Sequence, residues 1–71
     1  MTIQEKTGLR LREIRQQKSL SQEALGYEAE VHRTYINDLE NGRRNVTVKV
    51  LERIVKALGI SLSEFFENID G

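Results

Sequence analysis

Apolar and polar residues along the chain recur with the three-to-four spacing of amphipathic helices, and turn or capping residues divide the pattern into five stretches. The first runs from about Ile3 to Lys18, with Leu11 and Ile14 one turn apart and charges between them. Ser21 then precedes Gln22-Glu23-Ala24-Leu25, which reads as an N-cap and first turn of a helix reaching about Ala29. A third helix is predicted after His32, stopping at Asn41-Gly42, where glycine accepts a left-handed backbone. Its inward stripe is narrow, since only Ile36 and Leu39 are aliphatic. A fourth runs from a Thr47 N-cap to Leu58, with Gly59 just beyond it. Val48, Leu51, Val55 and Leu58 form its apolar face, widened by Ile54. The last is short, and Ser61-Leu62-Ser63-Glu64 matches a capping box. Only Asn45–Val50 alternates as a strand would, and lysine and threonine are its polar members. Proline is absent, and glycines 8, 26, 42 and 59 read as punctuation. The expected fold is all-α, with five short helices.

Length and composition narrow this picture. A chain of 71 residues, 38% apolar and 31% charged, suits one globular domain over residues 1–71. A domain this small has a small core. With no cysteine and a single histidine, it has neither a disulfide nor the ligands of a structural zinc site, and no cofactor is expected. No strictly apolar run exceeds two residues, which excludes a membrane span and points to the cytoplasm. With packing the only glue, helices or a partner subunit should supply the stability. Phe65 and Phe66 are adjacent on a short helix, so both cannot enter one small core. One ring is expected inside. The other, with Leu62 or Ile69, forms an apolar patch covered by a second copy, which places a dimerisation region at about 59–71.

Net charge is zero, yet its distribution is uneven. Residues 33–56 hold six basic side chains against three acidic ones, while residues 57–71 hold Glu64, Glu67 and Asp70 with no base. A basic middle and an acidic end suit a molecule that turns one face to phosphate and the other away.

A short helix, a tight turn and a second short helix with a polar outer face have the geometry of a helix-turn-helix. Residues 21–29 would be the scaffold helix and 33–41 the reader, giving a motif over about 21–41. The reader's outward side chains would be Arg33, Thr34, Asn37 and Asp38, with Tyr35 nearby. Arginine forks onto guanine, asparagine onto adenine, and threonine offers both a hydroxyl and a methyl. On composition alone, the same face suits a solvated helix of a small bundle equally well.

The strings Leu20-Ser21-Gln22-Glu23-Ala24-Leu25, Val31-His32-Arg33-Thr34-Tyr35-Ile36 and Leu39-Glu40-Asn41-Gly42 resemble the phage repressor and Cro type of helix-turn-helix. The resemblance continues into Arg43-Arg44-Asn45-Val46-Thr47 and through Ala57-Leu58-Gly59-Ile60 to Phe65. Within that family, His32–Ile36 followed by Arg44–Thr47 is most similar to the controller proteins of restriction–modification systems. The resemblance implies that Gln22 touches the DNA backbone at a helix N-terminus suited to phosphate. It implies that Arg33 and Thr34 enter the major groove and that Tyr35 reaches backbone or a base edge. Arg43, Arg44 and Asn45 would grip phosphate or the adjacent minor groove, and Arg15 and Glu40 would form a structural pair. The implied partners are a palindromic double-stranded operator, a second copy of the chain and RNA polymerase. The implied activity is regulation of the chain's own gene and of an endonuclease gene.

The chain departs from the family pattern in three places. Glu30 occupies a turn position where glycine is common, His32 stands for a Ser or Thr cap, and Gly26 replaces alanine, at a cost of up to about 1 kcal/mol. His32 is expected to cap rather than to switch with pH, and Tyr27 to be partly buried. Other classes fit less well. An enzyme needs an activated nucleophile or a paired acid and base in a cleft, and no such spacing stands out. A phage or plasmid repressor, or an antitoxin-like protein-interaction module, would use the same fold.

Overall fold

Each helix of the computed structural model starts where a side chain closes its first turn, at Ser21, Thr47 and Ser61 as the sequence pattern predicted and at Thr2 without such a prediction. The structure describes residues 1–67 and 69. Helix α1 spans Ile3–Gln17, α2 Gln22–Ala29, α3 Arg33–Glu40, α4 Val48–Leu58 and α5 Leu62–Phe66, and no strand occurs among the described residues. Thr2, Ser21, Thr47 and Ser61 each accept an N–H from the first turn, and the Thr2–Glu5 and Ser61–Glu64 pairs are complete capping boxes. His32 also caps, its Nδ1 accepting the Thr34 N–H at 3.1 Å.

The first four helices end alike. Ser19, Glu30, Gly42 and Gly59 all take positive φ, and the N–H after each reaches back five residues, to the carbonyls of Arg15, Gly26, Asp38 and Val55. That is the Schellman motif, which satisfies carbonyls the helix itself leaves open.

Helix α1 packs on α3 and α5, α2 packs on α3 and α4, and α4 also touches α5. The core gathers Leu11, Ile14, Leu25, Ala29, Ile36, Leu39, Leu51, Ile54, Val55, Leu58 and Phe65. Helix α5 has no basic residue in its last turn. Arg10 of α1 supplies one, donating from Nε to the Phe65 carbonyl and from Nη2 to the Glu64 carbonyl, each at 2.8 Å.

Several expectations are corrected. Val48 is not on the inward face of α4: it is 77% exposed, and the buried stripe is Leu51, Ile54, Val55 and Leu58. Gly8 and Gly26 are not punctuation but lie inside helices at close approaches. A Cβ on Gly8 would stand 2.1 Å from the Leu39 carbonyl oxygen, and one on Gly26 would stand 2.6 Å from that of Val31. Gly26 therefore makes room for the turn rather than merely weakening α2. Tyr27 is 84% exposed, not half-buried. Of the two phenylalanines, which the sequence did not tell apart, Phe65 is the core ring at 0% exposure, so of the candidate patch residues Leu62, Phe65, Phe66 and Ile69 it is the one that cannot line a dimer surface. Phe66 is 41% exposed and meets Phe65 edge-on, ring centroids 5.1 Å apart. Asp70 lies outside the described residues, as does part of the expected 59–71 dimerisation region.

Candidate nucleic-acid interface

The reader helix can present a polar face because its apolar stripe is so narrow. Ile36 and Leu39 are buried, and the exposed first turn carries Arg33 and Thr34. Arg33 reaches back to α2, its Nη1 3.2 Å from the Glu23 carboxylate. Both side chains are exposed, so this pair is weak and a competing phosphate or base edge can displace it.

The loop from 41 to 47 brings a second set of residues to the reader. Arg43, Arg44 and Asn45 are exposed. Arg44 has an acidic neighbour, which comes from α3 and not from the loop. Its Nη2 lies 3.6 Å from Asp38 of α3, and its guanidinium sits 4.7 Å from the centroid of the half-buried Tyr35 ring. Stacking and charge together pre-orient Arg44 beside the reader helix. Tyr35 thus acts as the platform for an arginine.

Gln22 and Asn37, the other expected DNA contacts, are half-buried and belong to a network centred on Glu40. Glu40 is 2% exposed and carries four donors. Arg15 gives Nε to Oε2 at 2.6 Å and Nη2 to Oε1 at 3.0 Å. Gln22 and Arg12 add bonds to Oε1 at 3.1 and 3.4 Å. Asn37 donates to the Gln22 amide oxygen at 3.3 Å. Asn41 donates to Asn37, and Arg12 donates to Asn41, which closes a ring. Arg15 also donates to the Leu20 carbonyl at 2.7 Å, tying the start of the motif to its end. Burial pushes the Glu40 carboxyl up, but the hydrogen bonds from Arg15 and Gln22 and the Arg15 charge outweigh it, so its pKa lies below the ordinary value. The bond to Glu40 raises that of Arg15.

The structure thus places Arg33, Thr34, Arg43, Arg44 and Asn45 on the surface around the reader helix, and Gln22 and Asn37 behind them. Arg12, Asn41 and Arg53 were not foreseen. Arg12 had a faint signal, lying three residues before Arg15 on the helix edge that faces α3. Among the described residues, no group of three His, Cys, Asp or Glu could hold a metal ion.

Comparison with known proteins gives three kinds of match. A family profile described as helix-turn-helix matches residues 11–65. The control protein C.BamHI of Bacillus amyloliquefaciens is 46% identical over 61 residues, covering 84% of this chain and 75% of its own. The control protein C.MunI of a Mycoplasma species is 44% identical over 64 residues, covering 89% and 86%. Among solved structures, the restriction-modification controller protein C.Esp1396I, a tetramer in complex with its natural 35 base-pair operator, superposes with a TM-score of 0.88 at 39% identity, covering 94% of this chain and 88% of that one.

Proposed function

This chain belongs to the helix-turn-helix family, and on that premise we propose that it is a sequence-specific DNA-binding regulator of transcription: a restriction–modification controller acting on its own gene and on a neighbouring endonuclease gene. The observation that carries this reading is the exposed polar set Arg33, Thr34, Arg43, Arg44 and Asn45, gathered around a reader helix whose back is fastened to the core. Two of its relatives, C.BamHI and C.MunI, are control proteins. We read this chain likewise as a regulator and not an enzyme, working in the cytoplasm. No helix among the described residues is long and apolar enough to cross a membrane.

In this reading Arg33 and Thr34 meet base edges, while Arg43, Arg44 and Asn45 hold the backbone. Gln22 and Asn37 contribute by fixing the reader helix and by whatever their amides offer once DNA arrives. Residues 1–71 act as one DNA-binding domain. Leu62, Phe66 and Ile69 pair two copies, whose half-sites then lie about one DNA turn, roughly 10–10.5 base pairs, apart. A dimer doubles the phosphate contacts, so a subunit of zero net charge can still bind tightly. The acidic C-terminal end stays away from the duplex, and RNA polymerase is the partner through which a bound controller acts.

Direct reading of bases is tested at Arg33. Arg33→Ala is expected to cost about 1–3 kcal/mol on the specific site and much less on random duplex. Equal losses on both DNAs, measured by titration at one salt concentration, would demote Arg33 to a phosphate contact. Backbone contact is tested at Arg43, whose charge is exposed. Arg43→Ala should weaken binding to every sequence and lower the salt slope by about 1. An unchanged slope would show that this arginine displaces no counterion.

A further inference from the structure

Two of the four left-handed turns are glycine, and two are not: Ser19 and Glu30 hold φ of 56° and 58°. Such a backbone is unfavourable for a side-chain-bearing residue and persists only where surroundings enforce it. At both non-glycine turns an arginine holds a carbonyl. Arg15 takes that of Leu20, directly after Ser19. Arg53 of α4 donates from Nε to the Ala29 carbonyl at 3.1 Å and from Nη2 to that of Glu30. Helix α2 has no basic residue in its last turn, so the Arg53 guanidinium also supplies the positive charge that a helix C-terminus favours. Glu28, Glu30 and Lys56 share the same open groove between α2 and α4, on the side of α4 rather than of the reader helix's exposed turn.

We propose that Arg53 is a positioning residue for DNA recognition: its two-pronged hold on the end of α2 keeps Glu30 left-handed, and so sets the angle at which α3 leaves the turn. The geometry favours this over a general stabilising role because the two carbonyls that Arg53 takes are those of the turn itself. Val31 and His32 follow immediately, and the Arg33 side chain comes next. Without the clamp, Glu30 relaxes toward commoner backbone angles and α3 swings. With glycine at position 30 the left-handed turn persists unaided, and the clamp becomes dispensable. The proposal rests on the DNA-binding reading above.

A double-mutant cycle tests it, with affinity for the operator measured for wild type, Arg53→Met, Glu30→Gly and the double variant. The cycle cancels what each charge does alone, and the same pair measured with Glu30→Gln, which removes the carboxylate but keeps a Cβ, should retain the tenfold cost. Arg53→Met is expected to lower affinity about tenfold when residue 30 is Glu, the equivalent of about 1.4 kcal/mol, and at most about twofold when it is Gly. The salt slope should stay unchanged. The same cost in both backgrounds, or a slope lowered by about 1 as for a lost phosphate contact, overturns the proposal. Circular dichroism fixes a temperature at which every variant is folded. If Arg53→Met folds at none, Arg53→Lys replaces it, since one ammonium cannot fork across both carbonyls. A wild type that ignores its operator would defeat the functional reading instead. The clamp is then read without DNA from the Val31 amide, which donates to Gly26 at 2.9 Å. Its hydrogen-exchange protection should fall in Arg53→Met and return in the double variant, and unchanged protection overturns the proposal.

Discussion

Replacing Glu40 by Gln should lower the melting midpoint more than any surface substitution in this domain. The carboxylate is buried and takes bonds from Arg15, Arg12 and Gln22 at once. Removing its charge leaves the Arg15 guanidinium, itself only slightly exposed, without its counterion. Breaking a buried pair from one side costs about 3–5 kcal/mol, because the surviving charge stays desolvated. A domain of this size has a total stability of roughly 4–10 kcal/mol, and the shift would be roughly 12–40 °C. The pH dependence has a definite sign. The folded-state pKa of Glu40 lies below its usual 4.5. The pair's contribution is therefore complete above the unfolded carboxylate value and is lost as pH falls through the folded one. Acid melting should be steeper in wild type than in Glu40→Gln over that window. Wild-type melting combined with lost DNA binding would instead place Glu40 at the interface.

The two adjacent phenylalanines should separate folding from assembly. Phe65 is fully enclosed between α1 and α4, and truncating it to alanine is expected to cost about 3–5 kcal/mol. That is a large share of the domain's total stability, so the melting midpoint should fall steeply. Phe66→Ala removes a half-exposed ring and one edge-on aromatic contact, a loss of under about 1.5 kcal/mol within the subunit. Its effect should appear in mass instead: sedimentation at micromolar concentration is expected to show monomers with weaker, less cooperative DNA binding. If Phe66→Ala sediments as the wild-type dimer, the patch formed with Leu62 and Ile69 is not the interface.

Helices and caps were readable because they are local. Ser21, Thr47 and Ser61 signal their own first turns, and Gly42 and Gly59 their own ends, from side chains a few residues away. Contacts between helices carry no such mark. The spacing of Val48, Leu51, Val55 and Leu58 fixes their angles relative to one another but not which edge of the stripe meets α2 and α5, and Val48 fell outside. Gly26 looked like a weak helix former because the Val31 carbonyl that fills the space of its missing Cβ arrives only once the turn has folded.

The expected interface was legible to a similar depth. Arg33 and Thr34 could be placed outside by elimination, since the inward stripe of α3 is only Ile36 and Leu39, while Arg43 was placed by the family resemblance. Gln22 and Asn37 could not, because their engagement depends on Glu40 lying beneath them, and Glu40 is drawn inward by arginines on another helix. Long side chains defeat pattern reading most often. Arg10, Arg12 and Arg53 sit at unremarkable positions of amphipathic helices, and their heads reach carbonyls or amides more than twenty residues away along the chain.

Footprinting the DNA upstream of the chain's own gene, repeated over a salt series, tests the central claim most directly. The account predicts protection of a palindromic site with half-sites one turn apart, occupied cooperatively and weakened steeply as salt rises. Protection that spreads evenly over all sequences, or none at any salt concentration while the protein remains folded, would contradict it.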